Sequence, residues 1–81
     1  MFFVYVIKSE KDGRLYKGFT TDLNRRLKEH NQGRTKSTKG YVPWGLVYFE
    51  EVSTRSLARE REKFLKSGQG RDYLKENIKA P

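Results

Sequence analysis

The chain reads as an α+β domain: a small three-stranded antiparallel sheet covered by helices, in the order β-β-α-β-α-α. Two aromatic and β-branched runs flank a tight-turn signal, and a third such run follows a polar break. Between and after them, apolar residues recur at helical spacing. At 81 residues the chain is expected to form one domain over 1–81, near the lower end of what folds alone. It has no cysteine, which excludes disulfide staples, thiolate metal sites and a thiol nucleophile, so core packing must stabilise it.

The first strand is FFVYVIKS, bounded by EKDG. RLYKGFT is its hairpin partner across Asp12-Gly13, and counting back from that turn sets Tyr5 and Tyr16 at comparable heights. Thr21 or Asp22 then caps a first helix, expected from Asp22 to Gln32. Its Leu23, Leu27 and His30/Asn31 recur at helical spacing, and Gly33 stops it. The stretch GRTKSTKGYVPW, residues 33–44, is polar, basic and broken by Pro43; it is expected to be a long mobile loop able to lie over a ligand.

GLVYFEEV supplies the third strand, its alternation placing Val47 and Phe49 on one face and Leu46 and Tyr48 on the other. Ser53 or Thr54 caps a second helix, RSLAREREKFLKS. Leu57, Ala58, Phe64 and Leu65 form its apolar stripe, and Gly68 ends it. A short third helix, RDYLKENI, closes the domain through Tyr73, Leu74 and Ile78.

Charge narrows the partners. Eighteen Lys plus Arg against 10 Asp plus Glu leave a net charge of +8, with a sequence pI near 9.9. A field of that sign attracts polyanions, nucleic acid first and an anionic membrane surface second, although solubility alone also accounts for a basic small domain. FFVYVI is too short to span a bilayer, and neither a basic leader nor a small-residue cleavage site accompanies it. A cytoplasmic protein with no membrane partner is expected, monomeric or weakly dimeric.

The stretch LYKGFTTDLNRRLKEHN, residues 15–31, concentrates the groups with chemistry. Arg26 and His30 are i,i+4 neighbours that flank the Leu23/Leu27 stripe, which sets them where the helix meets the sheet. Tyr16 and Gly18 lie on the strand just before, and a glycine inside a strand marks close approach of a ligand or another backbone. Taken singly, Tyr5 and Tyr16 are ordinary sheet aromatics. Together with a guanidinium that binds phosphate bidentately and an imidazole that titrates near neutrality, they suit phosphate chemistry.

Phosphodiester hydrolysis usually also uses a metal ion, and no carboxylate cluster resembles a multi-ligand site. Glu60 and Glu62 flank the apolar stripe of the second helix on opposite sides. Either could offer the single carboxylate with which magnesium is often held, or both are surface charges paired with neighbouring cations. For nucleic-acid contact, Lys17, Lys28, Arg34, Lys36 and Lys39 offer cations to phosphates, while Tyr41 and Trp44 offer rings to exposed bases. Trp44 reads more naturally as core.

These residues carry a resemblance to the GIY-YIG nuclease superfamily, in particular its small stand-alone bacterial members related to the nuclease domain of the excinuclease of nucleotide excision repair. Val4-Tyr5-Val6 stands at the first element and Tyr16-Lys17-Gly18 at the second. The pattern TxDLxRRLxEHNxG follows from Thr20 to Gly33, and REKFLKSGxGRxYL runs from Arg61 to Leu74. The first element lacks its glycine, and Lys17 replaces an apolar residue in the second.

The resemblance implies that Tyr5, Tyr16, Arg26 and His30 are catalytic, with Gly18 as the glycine of the second element. Glu62 is then the ligand of one divalent ion, Mg2+ or Mn2+. Tyr5 would help deprotonate the attacking water, directly or with His30; Arg26 would stabilise the phosphorane-like charge, and Tyr16 would position water or phosphate. Asn77 is a weak counterpart of the family's late asparagine. The implied activity is metal-dependent endonucleolytic cleavage of DNA, structure-selective and tied to repair or recombination. Its rivals are a noncatalytic nucleic-acid-binding module on the same scaffold, and a small interaction protein whose basic face meets a protein or membrane.

Overall fold

A computed structural model of the chain describes residues 1–78. The last three positions of the expected domain, 79–81, lie outside the described residues. Strand β1 (Phe2–Ser9) pairs antiparallel with β2 (Leu15–Thr20) on one side and β3 (Trp44–Val52) on the other, giving the sheet order β2-β1-β3. Helices α1 (Leu23–Asn31), α2 (Arg55–Lys66) and α3 (Gly68–Asn77) complete the expected order.

The continuous apolar run VYVI suits β1 to the middle of the sheet, because both of its faces are buried. Val4 and Val6 meet Ala58, Leu65 and Leu74 of α2 and α3 on one face. Tyr5 and Ile7 meet Trp44, Tyr16, Leu23 and Leu27 on the other, beneath α1. Alternation along one strand thus divides the core in two.

In the β1–β2 register, Tyr5 opposes Gly18 and Ile7 opposes Tyr16. The two tyrosines therefore share a face as diagonal neighbours, two residues apart in register instead of standing level. The connection is a four-residue loop, Glu10 to Gly13, closed by the Ser9 N–H on Arg14 O at 2.9 Å and the Gly13 N–H on Ser9 O at 2.8 Å. That is two residues longer than an Asp12-Gly13 two-residue turn, which would set Tyr5 opposite Thr20 and Tyr16 opposite Ser9, so the longer loop shifts the register and draws the two tyrosines towards each other.

Asp22 caps α1, its carboxylate accepting from the Arg25 N–H at 3.0 Å. The following segment departs from the expected mobile loop. The 3-10 turn Lys39–Tyr41 forms within it, Thr38 is fully buried, and Trp44 donates its indole N–H to Thr38 O at 2.9 Å. Asn31 closes the other end, accepting from the Trp44 N–H at 2.6 Å and donating to Trp44 O at 3.0 Å. Residues 33–43 form a strap pinned to the end of α1.

β3 also departs from strict alternation. Tyr48 opposes Val6 while Leu46 opposes Ile7, so Val47 is bulged out of register. Val47 and Tyr48 consequently both pack on the α2/α3 side. Leu46 and Phe49 are left on the Tyr5 face of this edge strand, 39% and 53% exposed.

Thr54 caps α2, and Leu57 falls outside the expected stripe, 45% exposed, while Ala58 and Leu65 are buried. Gly68 does not merely end α2 but begins α3, because Ser67 serves as its cap and accepts from the Gly70 N–H at 3.1 Å. Gly70 is buried at the tight α2–α3 corner. A Cβ there would fall onto the backbone of Phe64 and stand 2.6 Å from Leu65 Cα.

Candidate active site

The β1–β2 register decides what Tyr5 can do. With glycine opposite, the Tyr5 ring lies flat across the neighbouring strand: a Cβ at position 18 would stand 2.7 Å from the phenol oxygen. The ring is thereby aimed at the edge of the sheet, where α1 presents His30. The phenol oxygen is 2.9 Å from His30 Nε2. Tyr16 joins from β2, its ring centroid 5.1 Å from that of His30, and its hydroxyl makes no hydrogen bond among the described residues.

His30 has no solvent exposure, and Nδ1 lies 2.8 Å from Thr38 Oγ1 in the strap. Thr38 Oγ1 in turn lies 3.4 Å from Thr35 O, to which only the hydroxyl can donate. With its one proton so used, Thr38 accepts from Nδ1–H, which assigns the other nitrogen, Nε2, as the acceptor for the Tyr5 hydroxyl. Sequence reasoning missed Thr38. Its context, a polar run between two glycines, reads as solvated loop, and only the docked strap reveals a buried hydroxyl.

The same burial sets the titration. Burial first, and then the nearby Arg26 guanidinium, lower His30 to a pKa of about 4, with Glu29 opposing. The imidazole is neutral at pH 7. Burial raises the Tyr5 phenol above its ordinary value, Arg26 pulling it back while Tyr16 and Glu62 push it further up. Arg26 itself is tethered to Glu29 by an i,i+3 ion pair at 3.0 Å and remains one-third exposed, which leaves its fork accessible from solvent.

Glu60 and Glu62 now separate. Glu60 is exposed and lines a shallow groove with Val52, Leu57 and Phe64. Glu62 is half-buried, its side chain 21% exposed, and its charge is felt by Tyr5. One Glu62 oxygen leans on Lys66 Nζ at 3.5 Å. No group of three or more His, Cys, Asp or Glu side chains able to hold a metal occurs among the described residues. A single carboxylate beside a solvent-accessible site fits a hydrated Mg2+ or Mn2+ ion, which keeps most of its waters, and does not fit a closed protein cage.

Other expected contacts are dispersed. Lys28, Arg34, Lys36 and Lys39 are exposed along α1 and the strap. Tyr41 is half-buried with the Arg14 guanidinium 3.6 Å over its ring, so that face is not open to a base. Trp44 is core. Asn77 bonds its own helix, donating to Tyr73 O at 2.7 Å. Lys17, between Tyr16 and Gly18, projects from the opposite face of the sheet, towards α3, because neighbours on a strand alternate.

The chain matches the GIY-YIG catalytic domain over residues 1–77. It is 47% identical over 66 residues to a UPF0213 protein of Haloquadratum walsbyi, a match covering 80% of this chain and 73% of that one. A UPF0213 protein of Clostridium perfringens is 43% identical over 67 residues, 82% and 71% of the two chains. The solution NMR structure of a UPF0213 protein from Bacillus halodurans is similar with a TM-score of 0.56 and 32% identity, over 94% of this chain and 84% of that one. No helix of the described residues is long and apolar enough to cross a membrane.

Proposed function

Since the chain belongs to the GIY-YIG catalytic-domain family, a nuclease-type family, we propose that it is a divalent-metal-dependent endonuclease hydrolysing phosphodiester bonds in DNA. The observation that carries this reading is the buried chain Tyr5 Oη, His30 Nε2, His30 Nδ1, Thr38 Oγ1, with Arg26 beside it. A purely structural aromatic cluster does not need a neutral imidazole aligned on a phenol.

A free phenolate is disfavoured by burial, so the proton moves in concert. The attacking water gives its proton to Tyr5 Oη as Tyr5 gives its own to His30 Nε2. The oxygen–phosphorus bond forms as the phosphorus–leaving-oxygen bond breaks, and the leaving oxygen takes a proton from solvent. Because His30 is held neutral, its lone pair is available across the neutral pH range. Arg26 offers two donors to the equatorial phosphate oxygens, and the unbonded Tyr16 hydroxyl orients phosphate or water. Glu62 would hold the Mg2+ or Mn2+ ion, whose chemistry is to neutralise charge developing on the phosphate.

The test incubates the purified protein with labelled single-stranded, duplex, flap and branched DNA, with magnesium or manganese and with chelator. Metal-dependent products are expected. Glu62→Ala and Arg26→Ala should each reduce the rate by about 10²-fold or more. Cleavage that survives both substitutions refutes the assignment, and salt-sensitive binding without cleavage of any substrate favours a noncatalytic binding module.

A further inference from the structure

A cavity of about 540 Å³ opens on the face of the sheet away from His30. It is lined by Lys8, Lys17, Arg71 and Lys75 together with the apolar side chains of Leu15 and Ile78, over a floor formed by the buried Leu74. None of the four cations enters an ion pair among the described residues. Burial, then the charges of Arg71 and Lys66, hold the Lys17 ammonium below its ordinary pKa. Like charges crowded around a concavity without a counter-ion are relieved by an anion, and the apolar lining asks that the anion carry a non-polar surface as well.

Topology links this cavity to the Tyr5–His30 site. Tyr16, Lys17 and Gly18 are consecutive on β2, and β2 is an edge strand with no outer partner. Successive Cα atoms are about 3.8 Å apart and their side chains leave opposite faces. A polymer with regularly spaced phosphates can therefore touch Tyr16 on one face and Lys17 on the other by turning over a single strand. A concave site with leucines matches a nucleobase better than it matches a carboxylate side chain or the flat surface of a bilayer.

The geometry points to a nucleotide subsite. One unpaired nucleotide, next to the strand segment held at the Tyr5–His30 cluster, places its phosphate against Lys17, Arg71 and Lys75 and its base over Leu15 and Ile78. This rests on the nuclease reading above and adds to it a preference for substrates with a single-stranded or frayed end beside the cut.

The experiment is an amide NMR titration of the full chain with an oligothymidylate in chelator, where nothing is cut, followed by binding isotherms at several salt concentrations. Shifts are expected at Leu15, Lys17 and Leu74 in addition to those around Tyr16 and His30. Lys17→Gln and Arg71→Gln should each lower the salt slope of binding by about one, whereas Arg59→Gln, at an exposed cation of α2 outside the cavity, leaves the cavity shifts intact. Spectral dispersion verifies folding, and Arg71, exposed on α3, carries the test if Lys17→Gln misfolds.

Shifts confined to the Tyr5–His30 side overturn the subsite. So do cavity substitutions no stronger than Arg59→Gln, or cavity shifts produced by anionic vesicles and not by the oligonucleotide. Cavity shifts without metal-dependent cleavage would defeat the hydrolytic reading alone. Cleavage without cavity shifts would defeat the subsite alone.

Discussion

His30 is sealed from solvent, yet both ring nitrogens are bonded, one to the proposed catalytic phenol and one to Thr38. Thr38→Val removes the acceptor for Nδ1–H and frees the ring to change tautomer. Cleavage should fall by about 10²-fold with DNA affinity unchanged, and Thr38→Ser should restore it; single-turnover rates beside binding isotherms measure both. The depressed pKa also fixes a pH dependence. Well above pH 6.5 the imidazole is neutral folded or unfolded, so it contributes no slope there. Between about 6.5 and about 4 the unfolded chain binds a proton that the folded one refuses, so stability drops as pH falls through that window, by up to about 3 kcal/mol, and then levels. Urea midpoints of wild type and His30→Gln from pH 4 to 7 check the sign, the variant losing that part of the slope. At this scale the convergence of Tyr5, Tyr16, Arg26 and His30 was legible, since strand alternation and i,i+4 spacing bring them to one helix–sheet edge. Thr38 was not, because nothing local marks which hydroxyl of a polar loop becomes buried.

The elements are joined by devices that spacing does not encode. Asn31 replaces a strand partner for Trp44, bonding both its N–H and its carbonyl, and so converts an apparently loose stretch into a docked strap. The β3 bulge has the same character: period-2 counting assigns Val47 and Tyr48 to opposite faces, and one unpaired residue turns both inward. The α2–α3 corner depends on absent atoms. Gly70→Ala introduces a Cβ 2.6 Å from Leu65 Cα, and should destabilise the fold by about 1–3 kcal/mol in urea denaturation. Gly68→Ala is the control, since a Cβ there meets nothing within 4 Å. Strand and helix order was readable because each has its own period and caps; Gly68 misled because a helix stop and the first residue of the next helix look alike when only Ser67 stands between.

On the scale of the whole molecule, the net charge of +8 is spread over both faces of the sheet, with Arg26 and Lys28 on α1 and Lys17 and Arg71 across from them. Charge announced a polyanion partner, but only the three-dimensional fold separates cations near the proposed catalytic groups from those lining the cavity. β1 serves both halves. Val4 and Val6 anchor one part of the core, and between them Tyr5 carries the proposed proton relay. This strand is hydrogen-bonded on both edges and covered on both faces, the arrangement expected of a segment that opens only with the whole fold. The Tyr5 amide should thus exchange with deuterium only through global unfolding, and heat should abolish activity at the same temperature at which the fold melts. A small protein of this design has no soft hinge beneath its proposed catalytic tyrosine; whatever chemistry that residue performs should persist up to the point at which the chain ceases to be folded at all.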